Sequence, residues 1–163
     1  MTAPTGKPAL PMAILTTGLL AGVLDGLSAV ANHLIQGGRA PQRIFKYIAS
    51  GVFGPSALAG GTTMVVAGVC FHMAIAMIWT VIFFLVAQRI VVLRRYAVVA
   101  AVGYGLFVWC VMNLVVLPLS RVPQPKSFNP TQAIIGALIL VAFIGFPVSL
   151  GARRYFGAGD QHV

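Results

Sequence analysis

Five polar side chains interrupt apolar stretches of this chain, and their types are suited to handling protons or cations. Asp25, Ser28, Asn32 and His33 lie in one apolar run, and His72 lies near the middle of the next. A carboxylate inside a helix surrounded by lipid costs several kcal/mol unless it is paired, protonated or hydrated, so it usually marks a functional site. Histidine changes charge near neutral pH. The pattern therefore predicts a polar site built around Asp25.

The composition indicates what surrounds this site. Hydrophobic residues make up 59% of the 163 residues and charged residues 8%, against roughly 25% charged residues in soluble domains. The mean hydropathy is +0.95. A spanning helix needs about 20 residues, so the length suits four spans. We expect an all-α integral membrane protein whose four transmembrane helices form an antiparallel bundle.

The apolar runs define the expected domain organisation. The predicted spans cover about 10–35, 62–87, 96–117 and 131–150, within a membrane domain of residues 10–156 that follows a polar leader (1–9) and precedes a disordered tail (157–163). Lys7 and the run Ala29-Val30-Ala31 imitate a cleavable signal peptide. The first apolar run is longer than a typical signal core and Asp25 interrupts it, which favours a retained span.

The connection over residues 36–61 is predicted to contain a short amphipathic helix. Pro41 is suited to its start and Gly51 to its end. Its apolar face holds Ile44, Phe45 and Ile48, and its polar face holds Arg43, Lys46 and Ser50. With Arg39, the cations Arg43 and Lys46 favour a helix lying among lipid headgroups. The glycines from Gly51 to Gly61 leave a re-entrant segment as the alternative.

Prolines mark the last connection and the last span. Four prolines occupy positions 118, 123, 125 and 130, so that stretch is not helical throughout. Asn129 is a candidate N-cap for a helix with Pro130 at its first position. Pro147 should kink that helix. The run Arg153-Arg154-Tyr155 should anchor its end at the membrane interface.

The distribution of cations predicts which side of the bundle faces the cytoplasm, although the two sides differ by only one charge. The N-terminal side of the bundle holds Lys7, Arg89, Arg94, Arg95, Arg153 and Arg154, and the other side holds Arg39, Arg43, Lys46, Arg121 and Lys126. The first group lies in short segments next to span ends, where the positive-inside rule counts cations most. Both termini are therefore predicted to be cytoplasmic. The net charge of +9 indicates contacts with lipid headgroups rather than with nucleic acid, because these cations flank apolar runs.

Helix geometry places the polar residues at defined depths. Asp25 and His72 both lie ten residues from the same predicted boundary, about 15 Å deep at 1.5 Å per residue. They are predicted to pair within one buried polar layer. A second layer at the rim would contain His33, Asn113 and Gln132, with Cys110 between the two layers. On the first helix the polar stripe shares one face with small residues that permit close packing: Gly18, Gly22, Asp25, Ser28, Asn32 and Gln36.

Other chemistry has weaker support. Asp25 and His72 also fit a structural role, as a buried clasp that fixes helix register. No His or Cys spacing typical of a metal or haem site occurs, and His33 and His72 differ in depth by about 12 Å, so no metal or cofactor is predicted. No serine lies in a nucleophile-elbow context, so no catalytic residue is predicted. Cys70 and Cys110 are expected to be buried free thiols.

Short runs along the chain resemble a known group of proteins. They are Gly22-Val-Leu-Asp25 leading to His33, Lys46-Tyr-Ile-Ala-Ser-Gly-Val-Phe-Gly54, Phe71-His72 with Ile75-Ala76 and Phe83-Phe84, Leu117-Pro-Leu-Ser120 and Arg153-Arg-Tyr155. Over residues 10–156 the chain is similar to small bacterial four-span membrane proteins of unknown function, and more distantly to YagU-like inner-membrane proteins. The resemblance implies a bacterial inner-membrane location and no activity. Some relatives place a further histidine where this chain has Val141 and Ala142, which weakens a shared three-histidine metal site.

Three functional hypotheses follow. The first is transport of a small solute or ion, or a response to protons, at Asp25 and His72 with Ser28 and Asn32. The second is a structural or accessory subunit that binds lipid or a partner protein. The third is a membrane-embedded metal or redox site. We also expect contacts with membrane lipid and a homo-oligomer, because four short helices enclose little volume. An enzymatic activity is not favoured.

Overall fold

The computed structural model describes residues 9–123 and 129–157, and these residues form helices joined by turns. The four long helices are α1 (Leu10–Ile35), α3 (Thr62–Arg89), α5 (Ala97–Leu119) and α6 (Pro130–Gly157), and the short ones are α2 (Gln42–Phe53) and α4 (Val91–Arg95). Each long helix is apolar and long enough to cross a membrane. The prediction of an all-helical protein with four spans and a short helix between the first two is confirmed.

The helix ends differ from the predicted ones where side chains can reach the interface. α1 begins and ends where predicted, whereas α6 runs to Gly157, beyond the predicted end at residue 150. Arg153 and Arg154 are good helix formers whose long stems let their charges reach water, so they do not end the helix. The leader up to residue 8, the tail from residue 158, Lys7 and Lys126 lie outside the described residues.

Packing orders the four long helices as α3, α1, α6 and α5. α1 packs against both α3 and α6, and α5 packs mainly against α6. α3 and α5 are bridged at mid-length by aromatic rings, and the Tyr104 hydroxyl donates a hydrogen bond to the Trp79 carbonyl at 2.5 Å. Because α3 and α5 stand at opposite ends of this packing order, a cleft remains between them.

Small residues bring the helices together. Gly18, Gly22 and Gly26 of α1 all lie against α3. Gly145 of α6 lies so close to α5 that an added Cβ would overlap the Ala101 carbonyl. Lipid supplies no hydrophobic force between helices, so such close van der Waals contact is the main source of helix association.

Both later spans contain a π-helical turn shortly before a proline. In α5 the turn is Met112–Val116, before Pro118, and in α6 it is Val141–Gly145, before Pro147. Proline has no backbone N–H and its ring collides with the carbonyl four residues earlier, so a wider turn relieves the clash. A π-helical turn thus precedes Pro147, where a kink is predicted.

α2 lies along the side of α3 rather than beyond its end. An added Cβ at Gly68 would overlap the Phe45 carbonyl, so the two backbones touch there. The helix ends at Gly54, which adopts φ 77°, and not at the predicted Gly51. Glycine accepts this left-handed conformation without steric cost, whereas Gly51 remains helical. A 3₁₀ turn, Pro55–Ala59, leads on to α3.

The prediction that Ser50 belongs to the polar face of α2 is wrong. Ser50 is fully buried, and its hydroxyl donates to the Tyr47 carbonyl at 2.6 Å. This internal hydrogen bond satisfies the hydroxyl, so burial carries little cost. Next to it, the Gly51 carbonyl accepts a hydrogen bond from the Arg121 N–H at 3.0 Å, which ties α2 to the segment after α5.

Candidate functional site

Asp25 of α1 and His72 of α3 come together, as their equal predicted depth suggested. The Asp25 Oδ2 atom lies 3.9 Å from the His72 Nε2 atom. The two side chains are 15% and 14% exposed, so neither is fully enclosed by protein. At this distance the groups interact through charge and not through a hydrogen bond.

The hydrogen on His72 Nε2 points to a backbone carbonyl instead. Nε2 lies 2.9 Å from the Gly22 oxygen. A carbonyl oxygen only accepts, so Nε2 must carry the hydrogen and donate it. Gly26 makes room for the ring, because an added Cβ there would lie 3.1 Å from Nε2. Among the described residues, no donor lies within hydrogen-bond distance of the Asp25 carboxylate.

The other predicted site residues of α1 do not join this pair. The Ser28 hydroxyl donates to the Asp25 backbone carbonyl at 2.7 Å, which is a contact within one helix turn. Asn32 Oδ1 accepts from Gln36 Nε2 at 2.8 Å, and the same amide donates to Gln132 Oε1 at 2.6 Å. Asn32 therefore belongs to an exposed amide chain that links α1 to α6.

The predicted second polar layer is not assembled. Asn113 donates to the Trp109 carbonyl of its own helix at 2.9 Å. The His33 ring lies against Gly38, and its Nε2 atom is buried without a hydrogen-bond partner among the described residues. Of the three rim residues, only Gln132 bonds to another helix. Depth alone did not give the rotation of each helix, which decides whether residues of one layer face each other.

The described residues form no buried polar layer. The buried polar side chains within residues 9–123 and 129–157 are Ser50, Thr80 and Ser149, none of which was predicted as part of a layer. Ser149 donates to the Ala97 carbonyl at 2.7 Å and Thr80 to the Ala76 carbonyl at 2.8 Å, so both hydroxyls are satisfied by backbone. Asp25 and His72 thus form a partly exposed pair.

This pair lies on the wall of a cavity of about 470 Å³ beneath α2. Its volume falls within the roughly 300–1,000 Å³ of small-molecule sites. α2, α3 and α5 supply most of the lining, and nearly all of it is apolar. Asp25 is the acidic residue in the lining, and no lysine or arginine among the described residues lines the cavity.

Aromatic residues that were not predicted as site residues complete the cavity. Tyr47 of α2 and Phe71 and Trp79 of α3 line it. Burial raises the pKa of the Tyr47 hydroxyl, so this group stays neutral and able to donate at physiological pH. Trp79 lies seven residues after His72 and therefore on the same helix face, a spacing that identifies it from sequence. No sequence signal places Tyr47 there, because the position of α2 depends on its contact with Gly68.

The interfacial cations lie away from this cavity. Arg39 and Arg43 are exposed, and Lys46 is half-buried. None of the three lines the cavity or forms an ion pair with a described residue. Their predicted contact with lipid headgroups stays a prediction.

The structure offers few groups for metal or thiol chemistry. Among residues 9–123 and 129–157, no three His, Cys, Asp or Glu side chains lie close enough to hold a metal ion. Cys70 and Cys110 are free, but the prediction that they are buried is wrong, since both are exposed on the helix surfaces. In a bilayer these surfaces face lipid, where a thiol behaves as a small apolar group.

Comparisons with known proteins give no match: no family model fits the chain, and no curated protein or solved structure is significantly similar to it. The helices and their composition define a multi-pass membrane protein.

Proposed function

We propose that this protein is a proton-responsive transporter of a small solute, with the cavity beneath α2 as its binding site and Asp25 as the group that exchanges a proton or charge. The observation that carries the proposal is a carboxylate that lies on the wall of an apolar cavity and accepts no hydrogen bond from any residue the structure describes. A carboxylate that only stabilised the fold would be expected to have its oxygens hydrogen-bonded.

The cleft between α3 and α5 supports the same function. Trp79 lines the cavity beneath α2, and its ring contacts the ring of Tyr104 at a centroid distance of 6.3 Å. Tyr104 and Phe83 line a second apolar cavity of about 490 Å³, which also lies between α3 and α5. A solute path that is interrupted by a few side chains needs only small movements to open to one side at a time.

A structural role is the second candidate, and a specific observation favours it. His72 donates to the Gly22 carbonyl across the α1–α3 contact, where three glycines bring the helices together. Such a bond fixes the register of two helices and contributes on the order of 1 kcal/mol in membranes. In this account Asp25 only balances the charge of a protonated His72.

The proposal also covers the membrane in which the protein lies and its orientation there. We place the protein in the inner membrane of a bacterium with both termini in the cytoplasm, on the strength of the resemblance and of the arginines near the α4 end. Arg89, Arg94 and Arg95 lie in one short connection there, where cations favour the cytoplasmic side. A homo-oligomer in contact with lipid is also proposed, since large apolar side chains are exposed along every long helix.

Proton flux in reconstituted vesicles tests the proposal. Vesicles with an entrapped pH-sensitive dye receive wild type, Asp25→Asn or Asp160→Asn, and a pH gradient is imposed with the membrane potential clamped. Asp160 is the other acidic residue of the chain, so its variant is the matched control. Wild type and Asp160→Asn should dissipate the gradient faster than empty vesicles, and Asp25→Asn should not. Equal flux through Asp25→Asn and wild type, with Asp25→Asn less stable, would establish the structural role instead.

A further inference from the structure

The cavity also constrains the charge of its ligand. We infer, resting on the proposed function, that the solute is a hydrophobic monovalent cation, either a protonated amine or a quaternary ammonium, whose charged head lies at Asp25 and whose apolar body fills the cavity. The geometry points to this class because the wall carries one carboxylate and is otherwise nearly all apolar.

Charge balance excludes the other classes of solute. An anion would place a second negative charge beside Asp25 in a medium of low dielectric constant. A neutral apolar solute would exclude water from the carboxylate and leave it unpaired, which is costly. A monovalent cation neutralises the carboxylate in place of a proton or of water.

A small inorganic cation does not fit the walls. An ion such as Na⁺ or Mg²⁺ requires several oxygen ligands to replace its hydration shell. The lining offers the Asp25 carboxylate, the Tyr47 and Ser120 hydroxyls and backbone, set among side chains such as Ile75 and Val108. An organic cation has no tightly held shell to replace, and its alkyl or aryl groups match an apolar wall.

The aromatic residues add a second attraction for cations. The faces of Trp, Tyr and Phe rings attract a cation within about 6 Å, and quaternary ammonium groups are typical ligands of such rings. Tyr47, Phe71 and Trp79 line the cavity together with Asp25. The site therefore offers a full charge and three aromatic side chains to a weakly hydrated cation.

Asp25 makes the site sensitive to pH, and His72 lies beside it. The titratable side chains that line the cavity are Asp25 from α1, Tyr47 from α2 and His72 from α3, and α5 and α6 contribute none from their described residues. When Asp25 binds a proton, the attraction for a cation is lost, and the proton returns to water when the cation binds. A protonated His72 at 3.9 Å from Asp25 would compete for the same carboxylate. Affinity for a permanent cation should therefore fall as the pH falls.

A pair of isosteric probes tests the inference on the purified full chain in nanodiscs. Benzyltrimethylammonium carries a permanent charge, and neopentylbenzene has a carbon atom in place of its nitrogen. The chain has two tryptophans, so Trp109→Phe leaves Trp79 as a fluorescent reporter in the cavity. The binding of each probe is compared between Asp25→Asn and the protein that keeps Asp25, because partitioning of the probe into lipid is the same in both and cancels.

The cation should bind at least about tenfold more tightly than its neutral isostere, and Asp25→Asn should remove this preference while Asp160→Asn keeps it. Asp25→Glu should retain it, which covers the case in which Asp25→Asn does not fold. With His72→Gln in the background, acidification that protonates Asp25 should still weaken binding of the cation, and binding of the isostere should not change.

The outcomes separate this inference from the proposed function. Equal binding of both probes, unchanged by Asp25→Asn, overturns the cationic class and leaves the cavity as a binding site. Binding of neither probe, with the proton flux of wild type still lost in Asp25→Asn, overturns the cationic class alone. Binding of neither probe without Asp25-dependent flux overturns both. Selective cation binding without any flux supports the ligand class and overturns transport.

Discussion

The two ends of the bundle are built differently from the same four helices. At the α4 end, Phe83 and Phe84 of α3 are buried among Val148 and Ala152 of α6, with exposures of 2% or less. The second cavity, which Phe83 lines and Phe84 does not, lies between α3 and α5, away from this contact with α6. At the α2 end, α3 and α5 diverge around the cavity that contains Asp25. We call these the close-packed half and the open half. The contrast indicates that stability depends mainly on the first half, and that the second is free to serve a ligand.

The connections explain the difference. At the α4 end only residues 90–96 join α3 to α5, and this short link holds the two helices close to α6. At the other end α2 packs against α3 near Gly68, and the Gly51 carbonyl is bonded to Arg121 after α5. α2 therefore acts as a roof that occupies one end of the cleft without filling it.

The largest effect is expected from Phe84→Ala in the close-packed half. Phe84 is 1% exposed and its ring packs near Tyr155 and Phe156, so the truncation leaves a cavity. The free energy of unfolding, measured by denaturant titration in micelles, should fall by about 3 kcal/mol. Phe71→Ala is the matched control, because Phe71 already faces the cavity. An equal loss for both variants would show that the halves are equally packed.

A moderate effect is expected from Gly68→Ala. The added methyl group overlaps the Phe45 carbonyl, so α2 must move away from α3. Such overpacking costs about 1–3 kcal/mol, and the displaced roof should weaken binding of benzyltrimethylammonium. Gly103→Ala is the control, since an added Cβ there meets nothing within 4 Å. Full stability with unchanged binding in Gly68→Ala would contradict the role of α2 as a roof.

A smaller effect is expected from Tyr104→Phe, at the boundary between the halves. The change removes the hydrogen bond from Tyr104 to the Trp79 carbonyl and keeps the ring. Interhelical hydrogen bonds in membranes average about 0.6 kcal/mol, so the free energy of unfolding should fall by about that amount. The exposed Tyr96 supplies the control, Tyr96→Phe. A fall in the free energy of unfolding of more than about 2 kcal/mol would mean that the Tyr104–Trp79 hydrogen bond, and not the close-packed half, holds α3 to α5.

The smallest effect on stability is expected from Asp25→Asn. The carboxylate has no hydrogen-bond donor to lose among the described residues, and His72 keeps its bond to Gly22. The free energy of unfolding should not fall, because the change removes a carboxylate from within a span and breaks no hydrogen bond. A loss of more than about 2 kcal/mol, absent in Asp160→Asn, would favour the structural role of Asp25.

The sequence predicted those features that depend on the geometry of a single helix. Apolar length located the four spans, and residue counting along α1 and α3 placed Asp25 and His72 at one depth, where the structure brings them together. These predictions depend on the rise and period of a single helix, which are nearly constant.

The sequence was less informative where helices must be placed relative to one another. The acceptor for His72 is a backbone carbonyl at Gly22, which no side-chain pattern marks. The burial of Ser50 and the exposure of Cys70 and Cys110 depend on how α2 and the spans are rotated in the bundle. The cavity follows from the same placement, so it was found only in three dimensions.

The accessibility of the cavity to water tests the central claim most directly. Ile75, which lines the cavity, is replaced by cysteine after Cys70→Ser and Cys110→Ser, and reaction with a membrane-impermeant methanethiosulfonate is followed in vesicles. Val148→Cys, at a fully buried position of the close-packed half, is the control. We predict rapid modification of Ile75→Cys and protection by benzyltrimethylammonium. An Ile75→Cys as unreactive as Val148→Cys would show a dry cavity and contradict a solute site at Asp25.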